Sequence, residues 1–151
     1  MFALPVIAGA ALLCMISTPS ALASTAATHR AVYNCVINAD SHSCVPTAKV
    51  PAASTLGAAL YQNSNFGGTQ YNIYLSAGET CRNGLVAYAG NIPGYFNDQT
   101  SSVWLPSPDG CTLILYWDAN RGGRSWQACP GAFSCNVPGW FNDQASSYLI
   151  Y

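Results

Sequence analysis

An internal duplication constrains this chain more than any other feature. Residues 92–102 read IPGYFNDQTSS, and residues 137–147 repeat them as VPGWFNDQASS, 45 positions later. A second pair of segments, YQNSNFGG at residues 61–68 and YWDANRGG at residues 116–123, lies 55 positions apart. The chain therefore contains two related units, at residues 56–106 and 111–151. The linker between them is short and rich in turn-forming residues, so the two units must lie close together.

The residue pattern inside each unit is typical of β-strands. Tyr71, Ile73 and Leu75 alternate with Asn72 and Tyr74, as in a strand with one buried face. Glycine pairs stand between the strand segments, where they permit the positive φ that a folded hairpin requires. No long segment has helical periodicity. Four short strands per unit predict an all-β fold, an antiparallel β-sandwich with an aromatic core.

The first 23 residues have the pattern of a signal peptide. Residues 2–16 are apolar and uncharged, and residues 21–23 (ALA) supply the small side chains that signal peptidase accepts. The apolar run is shorter than the roughly 20 residues that span a bilayer. We therefore expect cleavage after Ala23 and a secreted, extracellular protein without a membrane span. Residues 24–55 form an N-terminal segment to which the sequence assigns no role.

Six cysteines follow this leader. An even number in an oxidising compartment indicates three disulfides, for which about fifteen connectivities exist. Pairing within short loops is the interpretation that we favour, although the sequence alone leaves the other connectivities open. Cys35 with Cys44 and Cys129 with Cys135 would each close a short loop, which leaves Cys81 with Cys111 to join the two halves of the chain.

Charge and histidine content argue against several classes of function. Five basic and six acidic residues give a net charge of −1, which does not suit a basic groove for nucleic acid. Both histidines, His29 and His42, precede the two units, so these units lack an imidazole for proton transfer. A zinc site of Cys35, His42 and Cys44 would have only three ligands, and a disulfide is the better interpretation. We expect a binding or structural protein and not an enzyme.

The repeated segments carry a recognisable pair of signatures. Tyr61, Phe66 and Gly68 follow the spacing of an aromatic residue, four residues, an aromatic residue, one residue and a glycine. The second unit keeps the first aromatic residue and the glycine but has Arg121 between them. Together with the repeated hexapeptide Asn-Asp-x-x-Ser-Ser, this pattern resembles the βγ-crystallin superfamily, in particular its microbial calcium-binding type. The resemblance implies two Greek-key motifs at residues 56–106 and 111–151.

The same resemblance implies two calcium ions, each held by both repeats. Its ligands for one ion are Asp98, Gln144 and Ser146, and for the other Asp143, Gln99 and Ser101. Each ion would also take a carbonyl oxygen from a folded hairpin, near Asn65 or Asn120. Carboxylate, hydroxyl and carbonyl oxygens are the ligands that calcium prefers, and one carboxylate per ion suggests a Kd of about 10⁻⁶ to 10⁻³ M.

Alternative interpretations exist for the hexapeptides and for the whole protein. Asn97 and Asn142 could cap backbone groups, and Ser102 and Ser147 could hold the hairpins by hydrogen bonds; for these four residues we favour the structural role. The chain is also similar to secreted crystallin-like metalloproteinase inhibitors, in which case the cysteine-bounded loop at residues 129–135 would contact an extracellular protease. An antimicrobial or cell-wall-binding protein of this fold would stack glycan on outward rings, for which Trp117 and Tyr74 are candidates.

Overall fold

The computed structural model describes residues 30–38, 44–81, 86–106 and 110–151. The expected signal peptide and both histidines lie outside these residues. Within them the strands are β1 (Val32–Ile37), β2 (Val45–Thr47), β3 (Thr55–Asn63), β4 (Gly67–Leu75), β5 (Tyr88–Asn91), β6 (Ser102–Trp104), β7 (Leu113–Asp118), β8 (Gly122–Gln127), β9 (Ser134–Asn136) and β10 (Ser147–Ile150). No helix in this part of the chain is long and apolar enough to cross a membrane.

The two repeats exchange strands to form two sheets. One sheet has the order β2-β1-β4-β3-β6-β9 and the other the order β5-β10-β7-β8. Strand β5 of the first repeat pairs antiparallel with β10 of the second, and β9 of the second repeat pairs antiparallel with β6 of the first. This exchange is the topology of two Greek-key motifs in one β-sandwich. The fold class that the sequence predicts is confirmed.

The N-terminal segment extends the first sheet beyond the two repeats. Strand β1 runs parallel to β4, with Tyr33 opposite Tyr71, and β2 pairs antiparallel with β1. The side-chain amide of Asn72 donates a hydrogen bond to Asn34 Oδ1 at 2.9 Å. The sequence predicts antiparallel strands within the two repeats and assigns no strand to this segment, so the parallel β1–β4 pair is an addition that the structure makes. Residues 32–37 and 45–47 are part of the sheet, a role that the sequence did not reveal.

The cysteines form the three predicted pairs, two across short loops and the third between the remaining cysteines. The Cα atoms are 5.4 Å apart for Cys35–Cys44, 5.0 Å for Cys81–Cys111 and 5.4 Å for Cys129–Cys135. The first disulfide closes the connection between β1 and β2. The second joins the first repeat to the start of the second, and it therefore reinforces the contact between the repeats.

The aromatic core repeats with the sequence. In the first repeat the rings of Tyr71 and Phe96 stack with centroids 5.5 Å apart, and in the second Trp126 and Phe141 occupy the equivalent positions at 5.9 Å. The side chain of Tyr148 is fully buried in the same core. Burial raises the pKa of Tyr71 and of Tyr148 above that of an exposed phenol. Both phenols are therefore neutral at physiological pH.

Gly90 is required because Tyr148 crosses the strand directly above it. A Cβ atom at this position would lie 2.5 Å from the hydroxyl oxygen of Tyr148. The ring is packed on all sides, so Gly90→Ala should lower the free energy of unfolding by about 1–3 kcal/mol, measured by urea denaturation. Gly94→Ala is the matched control, because no atom lies within 4 Å of a Cβ there. Equal stability of the two variants would contradict this packing.

Candidate metal site

The two hexapeptides form a pair of loops that lie against each other. Asp98 and Asp143 both adopt left-handed backbone conformations, with φ of 54° and 56°. The main-chain N–H of Asp98 donates to the carbonyl of Ala145 at 3.1 Å, and the N–H of Asp143 donates to the carbonyl of Thr100 at 3.2 Å. Aspartate is one of the few non-glycine residues that tolerate this conformation. The repeated sequence therefore produces the same loop twice, and each loop is tied to the other.

The side chains predicted to share an ion meet across the two repeats. Ser146 Oγ donates a hydrogen bond to Asp98 Oδ1 at 3.0 Å. Ser101 Oγ donates to Asp143 Oδ1 at 2.8 Å. Both serines are buried, whereas the two carboxylates lie nearer the surface. Each predicted carboxylate thus lies beside the predicted hydroxyl of the opposite repeat.

The glutamines contribute differently from the aspartates. The Gln99 side chain is held within its own repeat, because its Nε2 donates to the carbonyl of Tyr95 at 3.2 Å and its Oε1 accepts from Gln62 at 3.1 Å. Gln144 occupies the equivalent position in the second loop. A ligand from Gln99 would therefore be the main-chain carbonyl, as the resemblance implies.

The folded hairpins are tied down by asparagine pairs that the sequence analysis missed. Asn65 N–H donates to Asn136 Oδ1 at 2.8 Å, and Asn136 Nδ2 donates back to Asn65 Oδ1 at 3.1 Å. Asn120 and Asn91 make the same reciprocal pair, at 2.7 and 3.0 Å. Since Oδ1 of Asn65 and Asn120 is engaged in these bonds, a hairpin ligand would be a main-chain carbonyl. Asn91 and Asn136 directly precede the duplicated segment at the same spacing, which was the available signal.

Ser102 and Ser147 have the structural role that the sequence indicated. Ser102 Oγ donates to the carbonyl of Asn63 at 2.7 Å and accepts from the Phe66 N–H at 2.9 Å. Ser147 Oγ likewise donates to the carbonyl of Asp118 at 2.6 Å and accepts from the Arg121 N–H at 2.8 Å. Each hydroxyl therefore closes one folded hairpin.

The side chain of Asn142 does not cap a backbone group among its described hydrogen bonds, as the sequence had suggested it would. Its Nδ2 donates to Asp143 Oδ2 at 2.8 Å, so it contacts the loop carboxylate itself. The two oxygens of Asp143 thus accept from two neutral donors, Ser101 and Asn142. The carboxylate is held in place without a positive charge of the protein among these contacts.

The donors in each loop fit a hard divalent cation. At each site a carboxylate of one loop meets a serine hydroxyl of the other, and the predicted main-chain carbonyls would complete a set made of oxygens alone. In the described part of the chain no group of three His, Cys, Asp or Glu side chains comes together. Calcium tolerates a ligand set with few carboxylates at the cost of affinity, whereas zinc prefers imidazole and thiolate. The residues present therefore suit calcium.

The aromatic residues proposed for glycan stacking are only half-exposed. Trp117 packs against Phe141 with ring centroids 6.4 Å apart, and the guanidinium of Arg124 lies over its ring at 5.1 Å. Tyr74 is also half-buried. Among the described residues the more exposed large rings include Tyr95, Phe133 and Trp140.

Topology and site together define an all-β protein of two Greek-key motifs with a pair of oxygen-rich loops between them. The chain is similar in fold to a βγ-crystallin domain from Clostridium beijerinckii, with 24% identity, a TM-score of 0.44, and coverage of 63% of this chain and 97% of that chain. A βγ-crystallin domain from Flavobacterium johnsoniae has 22% identity, a TM-score of 0.43, and coverage of 62% and 92%. For the N-terminal domain of Protein S the values are 18%, 0.44, 63% and 94%. No family model and no curated protein matches the chain.

Proposed function

We propose that this chain is a secreted calcium-binding protein of the βγ-crystallin superfamily, which holds two calcium ions in loops shared between its repeats. One ion takes Asp98 with Ser146 and the Gln144 carbonyl. The other takes Asp143 with Ser101 and the Gln99 carbonyl. Carbonyl oxygens of the folded hairpins near Asn65 and Asn120 complete the two sets.

The observation that carries this proposal is the crossed pairing of carboxylate and hydroxyl. Each Asp–Ser hydrogen bond joins residues more than forty positions apart, and the two bonds are equivalent under the internal duplication. A purely structural turn needs neither a carboxylate nor its duplication. Repetition of an acidic left-handed residue in a chain with only six acidic residues favours a ligand role.

The function of the bound ions follows from their position between the repeats. Two aspartates face the interface at which the loops meet, and an ion shared by both repeats neutralises each carboxylate. Calcium also binds the folded state alone, because the unfolded chain does not bring the two repeats together. In a calcium-rich exterior the ions would therefore stabilise the assembled sandwich.

Removing either carboxylate is expected to remove one ion. Asp98→Asn and Asp143→Asn each keep the size of the side chain but delete the single formal charge at one site. In calorimetric titrations of residues 24–151 with calcium, the wild type should bind two ions and each variant one. The remaining site should keep its affinity within about threefold, since its own carboxylate is intact.

Asp118→Asn is the matched control for these titrations. It removes the same charge from an exposed residue that is not among the proposed ligands, and two ions should still bind. The ligand assignment is wrong if Asp98→Asn or Asp143→Asn still binds two calcium ions with wild-type affinity. Magnesium should bind far more weakly, because it demands a stricter octahedral geometry than these loops supply.

A second candidate function is inhibition of an extracellular protease. The side chain of Phe133 is 63% exposed in the loop that the Cys129–Cys135 disulfide closes, which is the presentation that a rigid recognition loop needs. Inhibition assays against a panel of metalloproteinases, with Phe133→Ala as the comparison, would test it. Inhibition by the wild type that Phe133→Ala abolishes would support this second function.

A further inference from the structure

The two repeats differ at one sheet edge. In the first repeat the outer edge of β4 is covered by the parallel strand β1. In the second repeat the equivalent strand β8 ends its sheet, and it pairs only with β7 among the described strands. The registers agree, because Leu60 pairs with Tyr71 in the first repeat and Leu115 with Trp126 in the second. The edge of β8 is therefore the counterpart of an edge that the protein itself covers.

Main-chain groups of β8 point away from its sheet in the same way as the groups of β4 that pair with β1. The N–H of Gln70 donates to the carbonyl of Ala31 at 2.8 Å, and Ser125 is the equivalent of Gln70. The N–H of Ala128 donates to the carbonyl of Leu113. The main-chain N–H and C=O groups of even-numbered residues along this strand therefore point toward β7. Main-chain groups alternate along a strand, so those of Ser125 and Gln127 face away from β7.

Residues of β8 are also more exposed than their counterparts on β4. On β4, Asn72 is buried, whereas its counterpart Gln127 is exposed. Tyr71 is fully buried beneath the sheet, but its counterpart Trp126 is only half-buried. The second repeat thus leaves uncovered the positions that β1 covers in the first.

The two repeats also have equivalent aromatic residues next to these strand edges. Tyr33 of β1 packs against Tyr95 with ring centroids 4.4 Å apart. The counterpart of Tyr95 is Trp140, which is 53% exposed and borders an open recess of about 360 Å³ with Arg124 and Ser125. This recess adjoins the edge of β8 at the place where a ring equivalent to Tyr33 would lie.

We propose that the β8 edge together with Trp140 binds an extended segment of a partner protein. The segment runs parallel to β8, places an aromatic side chain on Trp140, and carries a carboxylate toward Arg124. Unpaired N–H and C=O groups on a strand edge are recognised by another polypeptide backbone. The strand contains one arginine and no acidic residue, which favours an acidic partner. This inference does not depend on calcium binding.

The protein's own β1 supplies the probe. We would add a synthetic peptide of residues 31–38 that carries Ala31→Glu and Cys35→Ser to the isotope-labelled chain of residues 24–151. In the β1–β4 register Ala31 adjoins Gln70, so the new carboxylate is placed near Arg124 in the equivalent complex. Amide NMR signals of Ser125 and Gln127 and the indole signal of Trp140 should shift together at peptide concentrations up to about 1 mM.

Backbone pairing is tested on the peptide, so this part of the test needs no variant of the protein. The carbonyl of Ala31 accepts from Gln70 of β4, and that of Ile37 accepts from Ser76, which directly follows β4, so the main-chain groups of odd-numbered residues of β1 face the pairing strand. N-methylation at Tyr33 should weaken binding by about fivefold or more, and N-methylation at Asn34 should leave it within about twofold.

On the protein, Trp140→Ala should weaken binding by about threefold or more, whereas Trp104→Ala should not.

Four outcomes would overturn the proposal. The first three are no shift at β8 at the highest peptide concentration, equal binding of the two N-methylated peptides, and shifts at the β2 or β9 edge in place of β8. A shift of the Trp140 indole alone, reproduced by a chito-oligosaccharide, would also overturn it and would assign the ring to glycan binding.

Discussion

Removing calcium with an excess of chelator is expected to lower the melting midpoint by about 10 °C or more. A ligand that binds only the folded state contributes RT ln(1 + [L]/Kd), which is about 2.7 kcal/mol when its concentration is 100 times Kd. At millimolar calcium, two sites with a Kd of about 10⁻⁵ M or below can therefore contribute about twice that value or more. For a domain of this size, each kcal/mol shifts the midpoint by roughly 2–6 °C. The measurement is a calorimetric scan of residues 24–151 at millimolar calcium and after chelation.

The control for this prediction separates calcium from general ionic effects. Magnesium at the same concentration should restore little of the lost stability. Asp98→Asn should lose about half of the calcium-dependent shift, because one of its two sites is absent. A midpoint that does not respond to chelator would leave the hexapeptide loops as structural turns and would favour the inhibitor function.

Phe141→Ala is expected to destabilise the protein more than any other single substitution considered for this chain. Phe141 is fully buried, and its ring contacts Trp117, Trp126 and Trp140 at centroid distances of 5.4 to 6.4 Å. Truncation leaves a cavity that three large rings cannot fill without moving, so the free energy of unfolding should fall by about 3–5 kcal/mol. Denaturant unfolding measures this loss directly.

Phe133→Ala is the matched control, since it removes the same atoms from an exposed position. Its effect on stability should stay within about 0.5 kcal/mol. The substitution at Phe141 should also weaken calcium binding, because Asn142 and Asp143 follow it directly in the second loop. Similar stability of the two variants would show that Phe141 does not anchor that loop.

The features of the fold and of the site that could be predicted are mainly those encoded in the duplicated segments. The duplicated hexapeptides place an aspartate in the left-handed conformation in each copy, Asp98 and Asp143, and a buried serine in each copy, Ser101 and Ser146. Short-loop pairing of the cysteines was also predictable, because nearby residues meet at little entropic cost. These features depend on local sequence and on the internal symmetry.

The remainder depends on contacts that local sequence does not encode. The segment VYNCVI has a strand pattern, but the pattern does not state that it pairs parallel with β4 or that Tyr33 meets Tyr95. The pairing partner of a strand is set by tertiary packing and not by propensity. Asn91 and Asn136 were overlooked because an asparagine beside a turn is common, and only the structure shows each of them facing a hairpin of the other repeat.

Backbone NMR of Asp98→Asn during a calcium titration tests whether each ion is shared between the two repeats. Asp98 belongs to the first repeat, whereas its proposed co-ligands Gln144 and Ser146 belong to the second. If the ions are shared, the variant should lose the calcium-induced shifts of Gln144 and Ser146 and keep those of Gln99 and Ser101. Loss of the shifts at Gln99 and Ser101, with those at Gln144 and Ser146 retained, would contradict it.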